Sequence, residues 1–71
     1  MIEMLIKKSV TIHKHRTSIA LEQEFWDVLK DISIEKNYSV EKLISNIDIN
    51  RNASLASSIR VFILKHIINS S

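Results

Sequence analysis

A chain of 71 residues that contains no glycine, no proline and no cysteine excludes several chemistries at once. It cannot build a Gly-rich phosphate loop of the P-loop or Rossmann kind, and it has no disulfide framework, thiolate metal site or cysteine nucleophile. The remainder is 45% hydrophobic and 25% charged with a formal net charge of +2, a globular rather than a disordered balance.

The charge is unevenly placed. Residues 1–21 carry Lys7, Lys8, Lys14 and Arg16 against Glu3, residues 22–50 carry seven acids against three lysines, and residues 51–71 carry only Arg51, Arg60 and Lys65. A basic N-terminal third beside an acidic middle puts any polyanion-facing surface near the N-terminus. That same third alternates polar and apolar in Ser9-Val10-Thr11-Ile12 and again in Thr17-Ser18-Ile19-Ala20-Leu21. Period-two alternation with β-branched residues reads as strand, over about residues 8–21. Thr17, Ile19 and Leu21 share one face, and Arg16, Ser18 and Ala20 the other. His13-Lys14-His15 between the runs reads either as a turn or as part of one long extended ribbon.

At Leu21 the period changes. Leu21, Phe25, Val28, Leu29 and Ile32 form the stripe of an amphipathic helix over about residues 22–36, with Glu22 and Glu24 where acids favour the helix dipole. Asn37 stands where glycine commonly ends a helix, and it tolerates the left-handed conformation. Ser39 is a good N-cap for a second helix, about residues 39–49, whose apolar positions are Val40, Leu43, Ile44 and Ile47. A third helix, about residues 54–69, starts from a cap at Asn52 or Ser54 and carries Leu55, Ile59, Phe62, Ile63 and Ile67 on one side. Phe25, Trp26 and Phe62 read as core rather than as stacking platforms.

Size adds a constraint. A domain near 60 residues hides only about 60% of its unfolded surface. Thirteen isoleucines offer more apolar surface than one small core consumes, so a single domain over residues 1–71 that shares its core with a copy of itself is expected. The longest uninterrupted apolar run, Val61-Phe62-Ile63-Leu64, is far too short to span a membrane. The start, Met1 to Ile6, is too short and has the wrong charge order for a leader, so a cytoplasmic location is the default.

The order basic strand, helix, Asn turn and Ser-capped helix resembles the ribbon-helix-helix family of small dimeric bacterial and phage repressors. The likeness is carried by Lys7-Lys8-Ser9-Val10-Thr11-Ile12, by His15-Arg16-Thr17-Ser18 running to Leu21-Glu22, by Phe25-Trp26, and by Ser57-Ser58-Ile59-Arg60-Val61-Phe62-Ile63-Leu64. It implies a mainly α fold with a short N-terminal β-ribbon, an intertwined homodimer and an additional C-terminal helix. It also implies strands from two chains pairing into a ribbon that enters the major groove of double-stranded DNA. Three alternate side chains would face the bases, here Arg16, Ser18 and Ala20, and the backbone at Ser39 and Val40 would grip phosphate. Ala20 offers only contact with a thymine methyl. Lys7, Lys8 and Lys14 are candidate phosphate contacts.

The competing reading is a protein-interaction or dimerisation module, an antitoxin-like partner binder, that uses residues 54–68 as its recruiting surface. A metal site is not expected: His13 and His15 are two ligands where three are needed, and His66 is distant. Neither a cofactor nor catalysis is expected. No Ser-His-acid order is compelling, and Asp27, Asp31 and Glu35 along one helix read as a solvated face. The Asn-x-Ser triplets at 37–39, 52–54 and 69–71 match a glycosylation pattern that an Asn- and Ser-rich chain produces by chance.

Overall fold

The computed structural model describes residues 4–69. Met1 to Glu3, where the leader reading began, and Ser70 and Ser71 lie outside the described residues. Two strands, β1 (Leu5–Ile12) and β2 (His15–Glu22), are followed by three helices, α1 (Gln23–Lys36), α2 (Val40–Ile49) and α3 (Leu55–Asn69).

The strands pair antiparallel in one two-stranded sheet, with Ile12 opposite His15 and Leu5 opposite Glu22. The alternation sorts their side chains. Val10 and Ile12 of β1 and Ile19 and Leu21 of β2 are buried against the helices. Lys7, Ser9, Thr11, Arg16 and Ser18 face outward and are exposed, and Ala20, on the same face, is half-buried. The turn that the sequence left open is made by His13 and Lys14. Both have positive φ, 50° and 69°, the pattern of a two-residue hairpin turn whose twist matches the strands. The resemblance implied a ribbon assembled from two chains, whereas both strands of the ribbon described here belong to one chain.

Helix α1 ends where Asn37 adopts φ 60°, ψ 37°. Its N–H donates to Ile34 O at 3.1 Å and the Tyr38 N–H donates to Ser33 O at 2.9 Å, so the last carbonyls are satisfied without glycine. Ser39 Oγ accepts from the Lys42 N–H at 3.1 Å and caps α2. Of the two candidates for α3, Ser54 is the cap, accepting from the Ser57 N–H at 3.2 Å.

The core is one cluster drawn from every element: Val10, Ile12, Ile19 and Leu21 from the sheet, Trp26, Leu29 and Ile32 from α1, Leu43 and Ile44 from α2, and Ile59 and Ile63 from α3. Phe25 and Phe62 are partly buried against it. Ile34, Ile49, Val61 and Leu64 stay outside this cluster and are exposed. At about 1.5–3 kcal/mol for each fully buried aliphatic side chain, this cluster is the main stabilising term against chain entropy.

Candidate nucleic-acid interface

The outward face of the sheet is fixed by the hairpin register. Lys7 stands opposite Ala20, Ser9 opposite Ser18 and Thr11 opposite Arg16. A two-residue turn makes the first pair, Ile12 and His15, a hydrogen-bonded one, so these three outward pairs fall on the alternate, non-hydrogen-bonded positions. Their side chains stand close together, and their backbone N–H and C=O groups point away from the other strand. The Thr11 N–H uses this freedom and donates to Glu41 Oε2 at 2.6 Å. On β2, the backbone groups of Arg16, Ser18 and Ala20 line an edge with no strand beside it among the described residues.

β1 is held at both ends. Near the turn, Glu41 takes the Thr11 N–H. At the far end, Trp26 Nε1–H donates to Ile6 O at 2.8 Å, with the indole only 5% exposed. Val10 between these points and Ile12 next to the turn are anchored in the core.

The face is cationic. Lys7 and Arg16 lie on it, Lys14 projects at the turn, and Glu22 at the far end is neutralised by Arg60 of α3 through bonds of 3.1 and 2.9 Å to one carboxylate oxygen. The Glu22 carboxyl is held below its usual value of 4.5, first by a hydrogen bond from its own backbone and then by Arg60. Glu22 is also the residue that precedes α1, and its side chain makes no capping bond, being turned to Arg60 instead.

Lys7 and Lys8 part company. Lys7 is on the outward face, whereas Lys8 pairs with the core residue Ile19, lies on the other side of the sheet, and has its Nζ 5.1 Å from the Trp26 ring centroid. Alternation with Val10 and Ile12 carried that signal, because Lys8 has their parity. The same parity puts Ser9 and Thr11, which the sequence reading did not single out, beside Ser18 and Arg16. His13 and His15 do not share a strand face either. His13 is in the turn, with Nε2 3.5 Å from Asp48 Oδ2, on the same carboxylate that pairs with Arg51. Among the described residues no group of three His, Cys, Asp or Glu could hold a metal ion.

Ser39 and Val40 open α2 at the edge of the ribbon, because Glu41 in the same turn is bonded to Thr11. The Lys42 and Leu43 N–H groups are taken by Ser39 Oγ and Ser39 O, and the N–H groups before them, at the start of the helix, have no carbonyl within the helix to bond. The Glu41 carboxylate lies beside them and opposes an approaching anion.

Behind the sheet, a groove of about 590 Å³ runs between α2 and α3, with Leu43, Ile47 and Phe62 in its lining and Lys36, Arg51 and Lys65 at its margins. Beside it α3 leaves Val61 and Leu64 at 48% and 55% exposure. No helix among the described residues is long and apolar enough to cross a membrane.

A family model described as a ribbon-helix-helix domain matches residues 5–67. No curated protein and no solved structure matches the chain.

Proposed function

Because this chain belongs to the ribbon-helix-helix family, a family of non-enzymatic DNA-binding regulators, we propose that it binds double-stranded DNA sequence-specifically through the outward face of its β-ribbon. The observation that carries this reading is the face itself: cationic, with Arg16, Ser18 and Ala20 in alternate positions on β2 and Glu22, the one acid on it among the described residues, already paired. Arg16 donates bidentately to guanine O6 and N7, a contact worth about 1–3 kcal/mol of discrimination. Ser18 donates to or accepts from a base edge, and Ala20 meets a thymine methyl. Lys7 on the face and Lys14 at the turn neutralise phosphates, and the backbone N–H groups at Ser39 and Val40 donate hydrogen bonds to phosphate oxygens. Lys8, on the opposite side of the sheet, leaves this set. The biological output is transcriptional regulation.

The protein acts as a homodimer in this reading. A second copy would cover apolar surface that one chain leaves exposed. Val61 and Leu64, beside the groove of α2 and α3, supply apolar surface for that contact. Arg16→Ala and Lys14→Ala test the DNA reading by duplex titration at low salt, and solution mass tests the dimer. Binding that neither substitution weakens overturns the assignment of the face. An interaction module without DNA readout uses the same apolar strip and gives no duplex binding at any salt.

A further inference from the structure

Among the described residues, every outward position of the ribbon is neutral or basic except Glu22. By strand alternation Glu22 has the parity of Arg16, Ser18 and Ala20, and it stands two residues, about 7 Å, beyond Ala20. An uncompensated carboxylate there repels the phosphates that Lys7 and Lys14 attract. The carboxylate lies instead against Arg60 of α3, whose Nε–H and Nη2–H donate to its Oε1 at 3.1 and 2.9 Å. Resting on the DNA-binding reading above, we propose that Arg60 is a positioning residue for DNA binding. It holds Glu22 and cancels its charge, so that a helix outside the ribbon sets the charge the ribbon presents.

Three observations carry this. First, Arg60 arrives at Glu22 already fixed. Ile59 and Ile63 of the same helix are buried in the core, at 0% and 1% exposure. The guanidinium carbon lies 5.7 Å from the Phe25 ring centroid. Second, Glu22 passes over a nearer partner. It immediately precedes α1, yet its side chain makes no capping bond there. It pairs with a cation 38 positions away, which offsets its full charge as a backbone N–H does not. Third, the pair is half-buried, with side chains 33% and 21% exposed, so solvent screens it less than a free surface pair.

Both residues belong to one chain. Each chain therefore brings its own pair to a ribbon in which a second copy's strand joins the open edge of β2.

The test is titration of the full chain with duplexes of random sequence at low salt. The parent is compared with Arg60→Met, Glu22→Gln and the double substitution. Arg60→Met keeps an unbranched stem against Phe25, and urea midpoints report the fold of each variant. Arg60→Gln, which still donates but carries no charge, gives the same comparison if the Met variant does not fold. Arg60→Met is expected to bind about threefold more weakly, the effect of one unit charge roughly 7 Å from a phosphate in water. The loss shrinks as salt is raised. The double variant is expected to bind as Glu22→Gln does, because no charge is left to release. A loss of equal size in both backgrounds means that Arg60 meets phosphate itself, and no loss means that the pair serves stability alone. Either result overturns the inference while duplex binding by the parent leaves the DNA-binding reading standing. No duplex binding by the parent overturns both.

Discussion

The backbone N–H of Thr11 donates to the Glu41 carboxylate at 2.6 Å across 30 residues of chain, and this one bond joins the edge of the ribbon to the first turn of α2. It satisfies an edge donor that would otherwise face solvent. It also holds Ser39 and Val40 beside the hairpin while placing a negative charge next to them.

That arrangement gives opposite effects on stability and binding. Glu41→Gln keeps an oxygen to accept from Thr11 but removes the charge. Stability is expected to fall by under about 1 kcal/mol, from the weaker hydrogen bond and the lost helix-dipole contact. Duplex affinity at low salt is expected to rise a few-fold, roughly the effect of one fewer repulsive charge near phosphate. Urea midpoints and duplex titrations measure the two separately, and a fall in affinity would contradict the position of α2 against the DNA.

Lys14 is a turn residue and a candidate phosphate contact at once. At φ 69° a side chain with a Cβ is strained, by about 1 kcal/mol. Lys14→Gly removes the strain and the charge together. The hairpin is expected to gain up to about 1 kcal/mol, offset in part by the greater freedom of glycine in the unfolded chain. The slope of log affinity against log salt is expected to shrink by about 0.9, the loss of one phosphate contact. Stability that falls on this substitution would argue against the turn geometry.

Lys7 and Lys8 separate the two faces of β1. Lys7→Ala is expected to weaken binding to all duplexes about equally and to lower the salt slope by about 0.9. Lys8→Ala is expected to leave DNA binding unchanged and to cost about 0.5 kcal/mol of stability, through its contact with Trp26. Equal effects of the two on salt dependence would contradict the register.

The Glu22–Arg60 pair makes part of the stability depend on pH. Folding holds the Glu22 carboxyl below its usual 4.5, so between the two values the unfolded chain binds more protons and stability rises with pH. The contribution is fully present above 4.5 and is lost as pH falls through the lowered folded value. Glu22→Gln is therefore expected to be less stable than the parent at neutral pH, with the gap closing in acid as the pH falls through the lowered folded value. Denaturant titrations at neutral and at acid pH check this, and a gap that widens on acidification would reverse the sign assigned here.

Much of the architecture was legible because it is local. Helical stripes, the Ser39 cap and the left-handed Asn37 depend on residues within one or two turns of each other, and there sequence spacing and spatial spacing coincide. Strand alternation likewise gave the faces of β2. Applied to β1 as strictly, it would have separated Lys7 from Lys8 and put Ser9 and Thr11 on the outward face.

The turn is different. His13-Lys14 carries none of the Asn-Gly or Asp-Gly chemistry that announces a tight hairpin, so only the return of β1 onto β2, driven by burial of Val10 and Ile12 with Ile19 and Leu21, fixed it. That decision in turn set the register, and the register decided which polar residues share the face. The Thr11–Glu41, Trp26–Ile6 and Glu22–Arg60 contacts join residues 20 to 38 positions apart. Sequence by itself determined the elements and the basic N-terminal third, because those follow from near-neighbour periodicity and charge. Tertiary structure alone decided that one chain makes both strands of the ribbon, because that choice rests on hydrophobic burial and edge hydrogen bonds between distant segments.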